Sequence, residues 1–158
     1  MLKYRQDAVN DPPRRTSAGD AFSSLAILIL RVNGYLIAAG DVLSRPAGQT
    51  SARWQVLAAV EHAPATVAQI ARVLGLTRQS VQRVADVLTQ ELLTAYDENP
   101  AHRRAKLLRL LPKGRSALRK IQAAQGPWAD KLAEQIGEEA LRRATPVLQR
   151  LLNLLSDA

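Results

Sequence analysis

The stretch VAQIARVLGLTRQSVQRVADVL, residues 67–88, decides the reading of this 158-residue chain. Two helices crossing steeply over a tight turn need a small residue where they touch, a turn residue that accepts positive φ, and apolar side chains at the other inward positions. Ala71 is small, Gly75 is the turn, and Ile70, Leu74, Leu76, Val81 and Val84 fall where the inward contacts belong. Thr66 and Thr77 stand where each helix needs a hydroxyl cap. The outward side of the second helix's first two turns then carries Thr77, Arg78, Gln79, Ser80, Gln82 and Arg83. Arg suits the acceptor pair of guanine and Gln the donor–acceptor pair of adenine, so this face is fitted to base edges. The pattern predicts a helix-turn-helix rather than an ordinary pair of amphipathic helices.

Working outward, two short apolar stretches at 93–96 and 105–110 flank the polar segment DENPAHRR, residues 97–104. This predicts a β-hairpin with a charged tip. Arg103 and Arg104 lie beside the turn, and arginine suits a narrow, negative minor groove. Upstream, the expectations are a helix over 21–39 ending near Gly40, a loop over 43–49 broken by Pro46 and Gly48, and a helix capped by Thr50 or Ser51 that runs to Glu61. Downstream, Pro112 opens a helix to Gln125, Gly126-Pro127 breaks or kinks it, and helical pattern resumes over 128–135. A last helix covers 138–155, bent or interrupted at Pro146. The fold class expected is therefore mainly α with a small β-hairpin wing. Residues 1–20, with Pro12-Pro13 and no periodicity, read as a flexible arm before a single domain at 21–158, whose winged helix-turn-helix occupies 50–111.

Charge placement agrees with this. The net charge is +8, and residues 72–120 supply 11 basic against 4 acidic side chains, a net of +7. A surplus so localised points to a polyanionic partner, and Arg72, Arg78, Arg83, Arg103, Arg104 and Lys106 are its phosphate-contact candidates. With no cysteine and only His62 and His102, which lack metal-ligand spacing, neither a thiolate zinc site nor a disulfide scaffold is expected, and no metal or other cofactor. Enzyme chemistry has little support: there is no Gly-rich phosphate loop and no paired carboxylates, and Glu61-His62 are adjacent residues that point apart. The apolar run 25–40 contains Arg31 and Asn33 and is too short for a bilayer, so a buried helix, no membrane and a cytoplasmic location are expected.

Three stretches resemble the MarR family of winged-helix regulators: SARWQVLAAV at 51–60, TRQSVQRVADVL at 77–88, and NPAHRRAKLLRLLPKG at 99–114. The likeness covers roughly residues 25–155, and the wing segment is its most specific part. It departs from the family pattern at His102, where Asp is usual, at Leu92, where Gly usually ends the recognition helix, and at Leu111, where a Thr usually caps the next helix. Since Leu disfavours the left-handed conformation, the recognition helix is expected to end by a different turn.

The resemblance implies a homodimer whose N- and C-terminal helices interlock, here 21–40 and 112–158. It binds double-stranded DNA at a pseudo-palindromic operator and acts as a repressor that a small-molecule effector releases. Leu25, Leu28, Ile29, Val32 and Leu36, and Leu141, Leu148, Leu151, Leu152 and Leu155, form apolar stripes suited to such pairing. Tyr35, Trp54 and Trp128 are the ligand-binding candidates, each with a competing role as a core or interface aromatic. Lack of Cys argues against a peroxide sensor and scarcity of His against a metal sensor. The alternative is a winged-helix protein-interaction or RNA-binding module without operator specificity.

Overall fold

The computed structural model describes residues 16–102 and 104–156. The elements are α1 (Ser17–Ser44), a 3-10 turn (Arg45–Ala47), α2 (Ser51–Ala59), β1 (Ala65–Thr66), α3 (Val67–Leu74), α4 (Arg78–Gln90), β2 (Thr94–Asp97), β3 (Leu107–Leu110), α5 (Pro112–Ile136) and α6 (Glu138–Ser156). The chain divides into two compact units, residues 1–36 and 37–158. The described part of the first is the N-terminal portion of α1.

Helix α1 is longer than the expected 21–39. Residues 17–20, placed in the arm by sequence, are helical, and residues 1–15 of that arm lie outside the described residues. Gly40 does not end the helix. It sits inside α1 and is buried because a Cβ there would lie 2.6 Å from Ser51 Oγ. One residue on, Asp41 Oδ1 accepts a 2.7 Å hydrogen bond from Ser51 N and fastens the end of α1 to the start of α2.

The expectation of a buried helix at 25–40 is not met: Leu28, Leu30, Tyr35 and Leu36 are all more than half exposed. Apolar side chains occur all round this helix, and the single chain leaves most of them uncovered. The run Ser17–Ala47 is also long and apolar enough to cross a membrane, which 25–40 alone is not, because neither Arg31 nor Asn33 interrupts it.

The core of the second unit is built where α2, α3, α4, the sheet and α5 meet. Leu57, Ile70, Leu88, Leu108 and Leu118 are each at most 1% exposed. The caps form as the sequence dictates. Thr50 accepts from Arg53 N, Thr66 and Gln69 form a reciprocal capping box, and Thr77 accepts from Ser80 N. Gly75 takes φ 64° and turns the chain between α3 and α4. Ala71, 3% exposed, stands at their junction, but Leu76 is 44% exposed and is not the inward contact expected of it.

The wing is a three-stranded antiparallel sheet in the order β1-β3-β2 rather than a two-stranded hairpin. Ala65 and Thr66 pair with Leu108 and Leu107, and Thr94 to Asp97 pair with Leu110 to Leu107. A two-residue strand leaves no periodic trace in sequence, so β1 was not visible. Helix α5 runs from Pro112 to Ile136 with Pro127 inside it, so of the break or kink expected at Gly126-Pro127 the break does not occur. One proline removes a single backbone donor and its ladder bond, which a helix of 25 residues held by its buried N-terminal half survives. Helix α6 likewise continues through Pro146.

The end of α4 corrects another expectation. Leu92 adopts φ 60°, the only positive φ among the described non-glycine residues. Leu93 N donates to Leu88 O at 2.8 Å and Leu92 N to Thr89 O at 3.1 Å, so the helix closes with a Schellman turn despite its leucine. The left-handed conformation costs a non-glycine residue about 1–2 kcal/mol. Leu92 is 65% exposed and contributes little burial in return. Leu92→Gly is therefore expected to stabilise the fold by about 0.5–1 kcal/mol, after glycine's greater unfolded-state freedom is subtracted. A higher urea midpoint at unchanged m-value checks it.

Candidate nucleic-acid interface

Helix α4 has two chemically opposite faces. Val81, Ala85 and Leu88 are at most 1% exposed and seat it on the core. Arg78, Gln79, Ser80, Gln82 and Arg83 are all exposed on the other side, with Thr77 at the cap. The Thr77 hydroxyl oxygen already accepts from Ser80 N at 3.1 Å, so it serves first to start the helix. Arg72 on α3 is exposed as well.

Two contacts that sequence reasoning missed hold the far end of α4. Arg53 of α2 grips the Glu91 carboxylate with its two terminal guanidinium nitrogens, at 3.1 and 2.9 Å, and Lys113 Nζ donates to Glu91 O at 2.8 Å. The pair Arg53 and Glu91 lies 38 residues apart in sequence, with no local pattern to reveal it. Planar, bidentate pairing of this kind fixes direction as well as distance.

The wing meets α4 across a concavity of about 480 Å³ lined by Thr66, Val67 and Ala68 at the start of α3, Arg78 and Gln82 on α4, Tyr96 on β2, and Arg104, Ala105 and Lys106. The structure thus brings Arg78, Gln82, Arg104 and Lys106 together around one cleft, and among the described residues no carboxylate lines it. Arg72, Gln79, Ser80 and Arg83 stand outside it, and Arg103 lies outside the described residues. At the root of the wing Arg109 Nε donates to Asp97 Oδ2 at 2.7 Å, diagonally across the β2–β3 pair. At its tip Asn99 Oδ1 accepts from Ala101 N at 3.0 Å. These bonds shape the wing although His102 stands in place of the family's usual Asp. Leu111 takes the cap position of α5 without a side-chain bond, and Pro112 at the first turn makes one orphan donor unnecessary.

Between wing and α4 lies a three-residue network. Tyr96 Oη donates to Asp86 Oδ1 at 2.9 Å, and Gln82 Nε2 lies 2.7 Å from both Asp86 Oδ1 and Tyr96 Oη. Burial first, then the hydrogen bond and charge of Asp86, push the Tyr96 phenol up to about 12. The neutral phenol is the favoured form in the fold, so its contribution to stability is complete below pH ~10 and fades as pH rises toward 12.

The three aromatic ligand candidates are each described by their own surroundings: Tyr35 belongs to the first unit, and Trp54 and Trp128 belong to the second. Trp54 is half-buried and packs against the core cluster, Trp128 is half-buried on α5, and Tyr35 is 74% exposed on α1. None of them lines the basic cleft. Among the described residues no group of three His, Cys, Asp or Glu is placed to hold a metal ion. His62 is an exposed side chain 3.8 Å from Glu61, whose carboxylate is held by Gln122.

A tri-helical core with a capped, solvent-facing second helix and a basic three-stranded wing defines a winged helix-turn-helix, the fold of a DNA-binding protein. The family model described as MarR family matches residues 47–105. An uncharacterised protein of Mycobacterium tuberculosis is 36% identical over 133 residues, covering 84% of this chain and 93% of its own length. Among solved structures, a mutant MarR from E. coli complexed with operator DNA aligns with TM-score 0.74 and 19% identity over 87% of this chain and 99% of its own. CouR from Rhodococcus jostii bound to p-coumaroyl-CoA aligns with TM-score 0.68 and 22% identity over 81% of this chain and 91% of its own. The chain belongs to the MarR family of winged-helix transcription regulators.

Proposed function

We propose that this protein is a homodimeric, effector-responsive repressor that reads a pseudo-palindromic operator in duplex DNA. The observation that carries the reading is the division of α4, whose Val81, Ala85 and Leu88 are locked in the core while Arg78, Gln79, Gln82 and Arg83 face solvent. That helix enters a major groove. The wing, with Arg103, Arg104 and Lys106, reaches the adjacent minor groove, and Arg72 contacts phosphate. Thr77 and Ser80 complete the first turn of the reading helix, the part nearest the bases. Occupancy of the operator excludes the transcription machinery.

Two exposed apolar surfaces support dimerisation. On α1, Leu28, Val32 and Leu36 are 54%, 47% and 52% exposed; on α6, Leu148, Leu152 and Leu155 are 46%, 56% and 63% exposed. Helical stripes of that kind rarely face water in a monomer, and a second copy of the same chain covers both at once. The same pairing accounts for the apolarity of α1 without a membrane and leaves the protein in the cytoplasm with DNA. Effector response is supported by CouR, whose solved structure holds an aromatic acyl thioester. Tyr35, Trp54 and Trp128 are the aromatic side chains offered to such a molecule.

Sedimentation combined with hydroxyl-radical footprinting on the protein's upstream DNA tests the reading. The expected result is a two-chain species that protects two patches about one helical turn, ~34–36 Å, apart. A monomer protecting a single patch would overturn the dimeric reading.

A further inference from the structure

The Gln82 amide meets two partners of its own chain through one atom, Nε2. Asp86 Oδ1 receives the Tyr96 hydroxyl at 2.9 Å and Gln82 Nε2 at 2.7 Å. A carboxylate oxygen only accepts, so the Gln82 atom beside it is the NH2 group; turned over, the amide would set Oε1 against the carboxylate at the same separation. The Tyr96 hydrogen goes to Asp86, which leaves the phenol oxygen to accept the second Gln82 hydrogen at 2.7 Å. Nε2 thus has two acceptors within the protein, in line with both amide hydrogens being used there. Tyr96 cannot swing away freely, because its ring is half-buried and packs against the core. Its phenol, pushed up to about 12, keeps its proton at neutral pH.

We propose that Gln82 is a specificity-determining residue that offers the major groove only its Oε1 acceptor, so that each reading helix selects a base carrying an amino group, adenine or cytosine, on the strand it faces. The inference rests on the operator-reading function proposed above. A free glutamine pairs with adenine in two bonds, donating to N7 and accepting from N6. Held by Tyr96 and Asp86, it accepts a single bond, from adenine N6 or cytosine N4. It repels guanine O6 and thymine O4, which present only lone pairs there. The residue type alone implies an adenine reader; its two neighbours widen the choice to amino against keto. Because the clamp joins α4 to β2, it also sets the wing in register with the reading helix.

The test is selection of bound duplexes from a pool with about 20 randomised base pairs, by wild type, Tyr96→Phe and Gln82→Leu, followed by sequencing. Tyr96→Phe keeps the ring and its packing but returns one amide hydrogen to Gln82. Wild type is expected to yield a two-fold motif with one position per half-site shared by adenine and cytosine. In Tyr96→Phe the adenine-to-cytosine ratio there rises about fivefold or more, the lower end of what a bidentate pair gives. In Gln82→Leu the restriction at that position disappears, with thermal unfolding showing the variant folded. A motif whose base ratios are the same in wild type and Tyr96→Phe overturns the inference alone, as does a Gln82→Leu motif that keeps the restriction. A wild-type pool with no shared motif overturns the operator-reading function itself.

Discussion

Replacing Arg78 and Arg104 together by alanine is expected to weaken duplex binding about 100-fold or more near 100 mM salt, since each charge-assisted phosphate bond contributes about 1.5–3 kcal/mol. Both side chains are exposed and line the same cleft. Among the described residues neither makes an ion pair or a side-chain hydrogen bond that the fold would miss. Thermal stability should therefore stay within about 0.5 kcal/mol of wild type. The loss should also change shape with ionic strength. With six phosphates neutralised per complex, wild-type affinity falls on the order of 10³-fold between about 50 and 200 mM salt. Each arginine removed from a phosphate takes about one unit from the log–log slope. A double variant with wild-type affinity and slope would mean that the cleft does not face the DNA. The same experiment on Arg103→Ala with Arg104→Ala asks whether the tip of the wing shares this load.

The second large effect concerns the fold beneath the wing. Gly114 lies in the first turn of α5, where a Cβ would sit 2.2 Å from Leu93 O and 2.8 Å from Leu110 Cδ1. The first of these is backbone, and it is already engaged, accepting from Leu111 N at 2.9 Å. Neither α5 nor the β2 approach can shift without disturbing that bond and the Schellman turn just before it. Gly114→Ala is expected to destabilise by about 3 kcal/mol, at the upper end of overpacking penalties. For a chain of this size that lowers Tm by roughly 6–12 °C. A Tm within about 2 °C of wild type would show that the junction relaxes freely. Because this junction lies between the end of α4 and the start of β2, the variant should also lose DNA affinity if α4 reads bases as proposed, unlike Leu92→Gly.

The parts of this molecule that were legible in sequence are those fixed by neighbours in the chain. Thr66, Gly75 and Thr77 determine the start, stop and turn of α3 and α4 through bonds spanning three or four residues, and the structure forms them all. The outward set from Arg78 to Arg83 follows from helical periodicity once Val81 and Val84 are seen as inward, and Val81 is 1% exposed while Val84 packs against the core. What escaped depends on distant partners. Strand β1 exists only because Leu107 and Leu108 supply its ladder. Leu92 adopts φ 60° in a turn where its own amide donates to Thr89 O and the next, of Leu93, donates to Leu88 O. The clamp on Gln82 joins residues 4 and 14 positions away, so its amide looked like a free adenine reader. The apolar run at 25–40 reads as buried because hydrophobicity records that a surface needs cover, not that the same chain provides it. Gly40 reads as a stop, whereas its bare backbone lets Ser51 approach.

The most direct test is competition binding, in which the duplex best selected from a random pool is displaced by an unrelated duplex of equal length and by the corresponding RNA duplex. If the solvent face of α4 reads bases, both competitors should bind roughly 10³-fold or more weakly than the selected duplex. Affinities within a few-fold of one another for all three would contradict that claim and leave α4 and the wing as a charged surface without sequence preference.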